Sequence, residues 1–182
     1  VGQFLAKFSG QKIAVVSRKV YGKTPAQEFS AAIGARAITG RFVPGTFTNP
    51  EGKEFLQPEV VIITEPESDL QAITEASRAR AVVVALSSTN NVLRHVDLII
   101  PVNNKGRKSL ALIYWLLAKE VLKARGDIAN DEAFTKTVED FEYPLKEGEE
   151  EEDGRGMRPR GRGPPRGPRF NRYEAAAGLG PQ

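Results

Sequence analysis

A long connection between two apolar segments, residues Gly34–Pro50, holds residue types that suit an anionic partner. It carries two arginines, Arg36 and Arg41, three glycines, two prolines and two phenylalanines, Phe42 and Phe47, that we expect to be exposed. Arginine forks and small residues that let a backbone approach closely suit a phosphate-rich partner. Because it is long for a connection without periodicity and holds no acid or nucleophile for chemistry, we predict a binding surface here.

A second basic cluster, Asn103–Lys108, precedes the most apolar helical pattern of the chain. Its cations fall at the predicted start of that helix, where each is unfavourable by about 0.3–1 kcal/mol. A sequence that keeps them beside free helix N–H groups indicates an external anion, and the cluster follows the carboxyl end of a predicted strand. The alternative is that Asn103 or Asn104 caps the helix and the cations are only solvated.

The segment Ser17–Thr24 is the candidate for enzymatic chemistry, because it follows an apolar strand and opens a helix, as a phosphate-binding loop does. Glu65 stands where an acid could organise magnesium, after the next apolar strand. The pattern lacks its first glycine, which is Ser17 here, and the bulky turn residues suit a phosphate poorly. The alternative is an ordinary strand–helix turn whose cations face solvent or an anion, namely Arg18, Lys19 and Lys23.

The sequence indicates no metal centre. His95 is the only histidine and cysteine is absent, so a zinc site is not expected. A pairing of His95 with Asp97 lacks a nucleophile. The acids Glu65, Glu67 and Asp69 are expected to lie in a solvated loop in which Asp69 caps the next helix. No metal, cofactor or small-molecule substrate is therefore predicted.

Short β-branched runs alternate with helical patterns along residues 1–126. Thr24 and Pro25 form an N-cap and first-turn pair, and Gly34 stops that helix. The alternation predicts an α/β fold, a doubly wound open parallel sheet of flavodoxin or Rossmann type with helices on both faces. Strands are predicted at Ile13–Ser17, Arg36–Ile38, Val60–Thr64, Ala81–Leu86 and Leu98–Pro101, and helices at Val1–Phe8, Pro25–Ile33, Leu70–Ala79 and Arg107–Lys123.

Composition divides the chain into an α/β domain at 1–126, a peripheral helix or arm at 127–146 and a tail at 147–182. The net charge is +3, but an acidic run, Glu147–Asp153, precedes seven arginines between Arg155 and Arg172. Such blocks of like charge, rich in glycine and proline, are expected to be disordered when free. The longest apolar run, Leu110–Ala118, is too short for a membrane span of about 20 residues. The lack of cysteine fits a reducing compartment.

A family resemblance rests on four blocks of sequence: Ala35–Pro50, Val60–Ala76, Leu93–Arg107 and the helix that ends Tyr114–Glu120. In this order and spacing they resemble the archaeal and eukaryotic branch of the small-subunit ribosomal protein S-two family, whose eukaryotic members are also called the laminin-receptor precursor. The resemblance covers about residues 1–126. It implies a doubly wound α/β fold, no enzymatic activity and a structural role on the small ribosomal subunit.

The resemblance also implies partners and contacts. Ribosomal RNA and neighbouring ribosomal proteins would be bound through basic loops at one edge of the domain, supporting subunit assembly and translation. The expected location is cytoplasmic and ribosome-bound, with no membrane. The predicted RNA-binding residues are Lys23, Arg36, Arg41, Arg94, Asn103, Asn104, Lys105, Arg107 and Lys108. Predicted tail contacts with RNA or protein are Arg155, Arg158, Arg160, Arg162, Arg166 and Arg169.

The chain departs from the family pattern in three places. Family members begin well before Val1, which already stands in a helical pattern, so we expect an N-terminal truncation. The family's usual arginine and histidine in the Glu65–Gln71 loop are replaced by Glu67 and Leu70. The arginine-rich tail matches nothing in the family core.

Two other functions remain open from the sequence. One is a degenerate nucleotide-binding protein, or nucleoside-triphosphate hydrolase, built on Ser17–Thr24. The other is a protein–protein module in which the body docks on other ribosomal proteins and the tail dominates affinity.

Overall fold

Five parallel strands form a single sheet at the centre of the computed structural model, which describes residues 1–128 and 134–144. The strand order is β2-β1-β3-β4-β5, so β2 and β5 lie at the two edges. This arrangement confirms the predicted doubly wound α/β fold. The strands are β1 (Ile13–Ser17), β2 (Arg36–Thr39), β3 (Val60–Ile63), β4 (Val82–Ser87) and β5 (Leu98–Pro101).

The described residues form four α-helices, each of which differs from its predicted bounds at one end or both. They are α1 (Gly2–Leu5), α2 (Lys23–Ile33), α3 (Leu70–Arg78) and α4 (Arg107–Arg125). The first is shorter than the predicted Val1–Phe8. The second begins two residues before Pro25, so its N-cap is Gly22 and not Thr24. It ends where predicted, because Gly34 adopts a φ of 74° that suits glycine.

The two faces of the sheet are covered by different elements. On one face, Val15 and Ile62 pack against α2 and α4 through Phe29, Leu110 and Tyr114. On the other face, alternate residues of the same strands meet Ala72, Ile73 and Ala76 of α3. The central strands β1 and β3 are buried on both faces, which explains their continuous apolar runs.

The described residues between β2 and β3 contain no helix that could cover the second face of the sheet. Residues 40–59, the β2–β3 loop, make this crossover instead, and they bury Phe42 and Phe47 in the core that α3 covers. The two rings lie 5.1 Å apart, centre to centre. The prediction that these phenylalanines are exposed is therefore wrong. A crossover without a helix still has to shield the sheet from water, and these side chains do so.

Residues 134–144 lie in an extended path that contains one short 3-10 turn, Glu139–Phe141. Phe141 is fully buried against the core beside α4. The Trp115 indole N–H donates to the Lys136 carbonyl at 2.8 Å, and Lys136 pairs with Glu28 at 2.6 Å. These contacts attach the segment to α2 and α4. The predicted tail, 147–182, lies outside the described residues.

The crevice at the carboxyl ends of β1 and β3 is where doubly wound sheets bind ligands. Here the protein fills it. A Cβ at Gly22 would lie 2.3 Å from Ser17 Oγ and 2.9 Å from Thr64 Cγ2. Beside them the Tyr114 hydroxyl, fully buried, lies 2.7 Å from Thr64 Oγ1. The turn after β1 thus packs onto the strand ends, which argues against the phosphate-loop alternative for Ser17–Thr24.

This packing makes Gly22 sensitive to a single methyl group. We expect Gly22→Ala to lower the free energy of unfolding by about 1–3 kcal/mol, because the Cβ overpacks the crevice. The measurement is urea unfolding followed by the fluorescence of Trp115, the only tryptophan.

Gly106→Ala is the matched control. Gly106 is also a helix N-cap with negative φ, but its nearest neighbour to an added Cβ is 3.6 Å away. We expect this variant to lose less than about 1 kcal/mol. Equal losses in the two variants would show that the crevice accepts a methyl group.

Candidate nucleic-acid interface

The carboxyl ends of the five strands define one side of the domain, which we call the rim. The turn Arg18–Lys23 follows β1 and the β2–β3 loop follows β2. On the other side of the centre, residues 88–91 follow β4 and Val102–Lys108 follow β5. Because neighbouring strands lie about 4.8 Å apart, the ends of β2 and β5 are separated by about 19 Å.

Glu75, a buried carboxylate on α3, holds the β2–β3 loop in place. Its Oε1 accepts the Gly45 amide at 2.8 Å, and its Oε2 accepts the Phe47 amide at 3.3 Å. The Gln71 side chain donates to the same Oε1 at 2.8 Å. Only 2% of Glu75 is exposed. The loop is thus fixed by charge-assisted hydrogen bonds as well as by its two buried rings.

Arg41 stands exposed where the loop leaves β2, immediately before the buried Phe42. The phenylalanine fixes the backbone, so the guanidinium projects from an anchored position at the β2 end of the rim. This placement agrees with the predicted anion contact by Arg41, which stays a prediction.

Asn104 is fully buried, so it is corrected from a predicted RNA contact to a structural residue. Its side-chain amide donates to the Leu86 carbonyl at 3.0 Å and to Asn91 Oδ1 at 2.9 Å. These bonds tie the segments after β4 and β5 together. Asn103 stays exposed, and its Oδ1 accepts the Lys105 amide at 3.0 Å. Neither asparagine caps α4, whose N-cap is Gly106 without a side-chain hydrogen bond.

Arg107 is also partly used inside the domain. It pairs with Glu142 at 2.9 Å and donates to the Tyr143 carbonyl at 3.1 Å, which fixes the segment 134–144 to the start of α4. Lys105 and Lys108 remain exposed beside the first turn of that helix. The two lysines stand beside a helix start that no side chain caps, so the expected anion contact at the β5 end of the rim stays a prediction.

The middle of the rim carries both signs of charge. Lys19 lies 3.8 Å from Glu65 and 3.4 Å from the Asn104 carbonyl, so it connects the segments after β1, β3 and β5. Arg18 and Lys23 are exposed beside it. Lys19 is therefore a bridging residue, and Arg18 and Lys23 are the cations that face outward.

Asp69 precedes α3 as predicted, but its side chain does not cap that helix. It points into the protein, where Oδ1 accepts the Arg18 amide at 3.2 Å and the buried Oδ2 has no partner among the described residues. Burial raises the pKa of this carboxyl to about 6, against the lowering effect of its backbone hydrogen bonds.

Two predicted contacts lie away from the rim. Arg36 begins β2, so it stands at the opposite end of that strand from Arg41. Arg94 comes just before Asp97, whose amide donates to the carbonyl of Val83 near the start of β4. Both arginines are exposed, but they do not join the lysines at the start of α4. The predicted contacts in the tail lie outside the described residues.

Sequence reasoning missed Glu75 and the basic residue Lys53. Lys53 is exposed in the β2–β3 loop, and Glu75 is a buried acid on an otherwise apolar helix face. The signal for Glu75 was available, because it follows Ala72 by three residues and Ala76 immediately succeeds it on the same buried stripe.

The described residues offer neither a membrane span nor a metal site. Across residues 1–128 and 134–144, no helix is both long enough and apolar enough to cross a membrane. The same residues contain no group of three or more histidine, cysteine or acidic side chains that could hold a metal ion.

Comparisons with known proteins match most of this chain. A family model described as Ribosomal protein S2 matches residues 52–124. Small ribosomal subunit protein uS2 of Aeropyrum pernix is 48% identical over 139 residues, which cover 76% of this chain and 68% of the relative. Its counterpart from Thermoplasma acidophilum is 50% identical over 144 residues, covering 79% and 72%.

The buried Asp69 predicts a pH-dependent stability. Its pKa is higher in the folded protein than in the unfolded chain, so the native state binds more protons between about pH 4 and 6. Stability from this group is present at low pH and is lost as the pH rises through that window. The free energy of unfolding of Asp69→Asn, measured relative to the wild type, should therefore rise by about 1–2 kcal/mol as the pH is raised from 4.5 to 7.5. The measurement is urea unfolding at both pH values.

Glu67→Gln is the control for this experiment, because Glu67 is an exposed acid of the same loop. The rise in relative stability between the two pH values should be larger for Asp69→Asn than for Glu67→Gln, because only the Asp69 carboxyl is buried on folding. An equal rise in the two variants, or none in Asp69→Asn, would contradict the raised pKa of Asp69.

The hydrogen bonds of Glu75 predict that Glu75→Ala frees the β2–β3 loop. We expect the free energy of unfolding to fall by about 2–4 kcal/mol, because two backbone amides lose their carboxylate acceptor. Trypsin cleavage after Lys53, followed by mass spectrometry, should become at least about tenfold faster. Gln71→Ala removes only one exposed donor to the same carboxylate and should change cleavage little. Unchanged cleavage in Glu75→Ala would mean that the buried rings alone hold the loop.

Proposed function

The chain belongs to the ribosomal protein S2 family, since it matches two archaeal relatives at 48% and 50% identity over more than two thirds of their length, and we propose that its rim binds ribosomal RNA. Proteins of this family are structural components of the small ribosomal subunit and are not enzymes. The predicted family, the structural role and the absence of enzymatic activity are thereby confirmed. The chain is ribosome-bound, and we place it in the cytoplasm.

The observation that carries the RNA proposal is the set of exposed cations on the rim. They are Arg18, Lys23, Arg41, Lys105 and Lys108. They stand on anchored backbone, because Glu75 fixes the β2–β3 loop and Asn104 fixes the segment before α4. Cations on rigid loops can contact phosphates at set positions with little loss of conformational entropy.

Selectivity in this proposal comes from RNA shape. The two ends of the rim are about 19 Å apart, a spacing that a folded RNA with several backbone strands can match. Phosphate contacts of this kind make affinity fall with added salt. The tail arginines, which lie outside the described residues, are proposed to add contacts that tolerate any RNA sequence. Neighbouring ribosomal proteins complete the environment of the domain.

The test is binding of the full chain to transcribed small-subunit ribosomal RNA from an archaeon at several salt concentrations. Lys105→Ala with Lys108→Ala should weaken binding about tenfold and lower the salt slope by about 1–2. Arg41→Ala, at the β2 end of the rim, should also weaken RNA binding and lower the salt slope. Changing the six predicted tail arginines to glutamine separates their contribution from that of the body.

Arg78→Ala is the control, because Arg78 is an exposed cation at the end of α3 that leads to the start of β4. It should leave binding unchanged. If Arg78→Ala weakened RNA binding as much as the rim variants do, the binding would depend on the net charge of the chain and not on the rim. Binding that ignores salt would contradict phosphate contacts altogether.

A further inference from the structure

We propose that the groove beside β2 receives an extended acidic segment of a partner protein, which adds to the sheet as a sixth strand. This site is separate from the rim cations at the start of α4 and goes beyond the RNA contacts proposed above. It rests on four features of the described residues: an unpaired sheet edge, a formed groove, unbalanced positive charge and a buried hydroxyl without a partner.

The outer edge of β2 offers backbone groups for pairing. The Gly40 amide donates to the Ser17 carbonyl at 2.8 Å, so Gly40, Ile38 and Arg36 turn their backbone groups toward β1. Strand alternation then turns those of Ala37 and Thr39 away from the sheet. The free edge thus presents N–H donors and carbonyl acceptors in alternation, as a further strand requires.

A groove of about 640 Å³ runs along this edge. Its walls come from α2, through Gln27 and Ser30, and from the β2–β3 loop, through Val43 and Thr46. The loop wall is the segment that Glu75 fixes, so the groove is formed before any ligand arrives. Its floor, the four residues of β2, is about 13 Å long, which suits a short strand.

The groove is lined by three exposed cations and one acid. The cations are Arg36, Arg41 and Lys53, and the acid is Glu54. In the part of the chain that the structure describes, none of the three cations takes part in an ion pair. This excess of positive charge favours an acidic ligand.

The cations also lie on one side of the edge. Ile38 packs into the core under the β2–β3 loop, and alternation along the strand places Arg36 on that same face. Lys53 belongs to the loop on that face. The opposite face of the edge meets α2, where Ser30 is 3% exposed and its hydroxyl has no partner. An incoming strand with acids at every second position fits this asymmetry.

Alternating donors and acceptors favour a peptide over RNA. A phosphodiester backbone offers acceptors, so it would leave the outward carbonyls of Ala37 and Thr39 unmatched. A peptide strand satisfies both kinds of group and places its acids against the cations. The partner is therefore a protein with an extended segment in which acidic and apolar residues alternate.

The probe is a labelled eight-residue peptide of alternating glutamate and valine, added to the full chain. We expect saturable binding by anisotropy, with NMR shifts at the Ala37 and Thr39 amides. The same peptide carrying N-methyl groups on alternate backbone amides keeps its charge but cannot pair, so it should not bind. A version with lysine for glutamate should not bind either.

Two variants of the chain make the test specific. Ala37→Pro removes an outward N–H without touching the bonds to β1, and it should weaken peptide binding at least about tenfold. Arg36→Gln with Lys53→Gln should weaken it about as much and reduce its salt dependence. Lys105→Ala with Lys108→Ala should leave peptide binding unchanged, so this proposal and the RNA proposal can fail independently.

Four results would overturn the proposal. Equal binding of the peptide to the wild type and to Ala37→Pro would exclude strand addition. Binding of the N-methylated peptide would show that charge attraction alone, without strand pairing, holds the peptide. Oligouridylate that competes with the peptide for the same amides would assign the groove to nucleic acid. Tighter peptide binding after neutralising the acids of Glu147–Asp153 would assign it to the chain's own acidic run.

Discussion

The surface of this domain depends on one constraint, the lack of a helix between β2 and β3. A crossover helix would cover the sheet and satisfy its own backbone hydrogen bonds. The β2–β3 loop has to achieve both by other means, since buried amides without partners are costly. Phe42 and Phe47 cover the sheet, and the Glu75 carboxylate accepts the amides of Gly45 and Phe47. One buried acid therefore makes an irregular loop rigid enough to present Arg41 and to form a groove.

Tight packing of side chains also closes the crevice at the carboxyl ends of β1 and β3. In this fold class the strand ends at the switch point are open to ligands. Here Gly22 lies against Ser17 and Thr64, and the Tyr114 hydroxyl fills the space beside them. Burial raises the pKa of Tyr114, so this hydroxyl stays neutral and keeps its hydrogen bond. With the centre filled, the groups free to meet a partner are those on the exposed turns around it.

Sequence patterns predicted the elements well, because apolar periodicity reports burial directly. Strands β1 and β5 have their predicted bounds, and Gly34 ends α2 as expected. The errors fall where a residue's role depends on distant neighbours. Phe42 and Asn104 stand in polar surroundings in the sequence, yet both are buried. Phe42 covers the sheet where the crossover has no helix, and Asn104 connects the segments that follow the neighbouring strands β4 and β5. Neither requirement is visible in a single sequence, since each arises only when the strands assemble.

The two basic surfaces differ in what they can recognise. At the start of α4, two exposed lysines stand beside helix N–H groups that no side chain caps, so donors and cations predominate there. A polyanion satisfies such a site completely. Along β2, carbonyls alternate with amides, so a ligand that offers only acceptors would satisfy the amides and leave the carbonyls unmatched. A phosphate backbone therefore suits the first surface and a peptide strand suits the second. Because these preferences come from backbone geometry as well as charge, the start of α4 and the edge of β2 suit different ligands, and Arg41 lies where the two proposed surfaces meet.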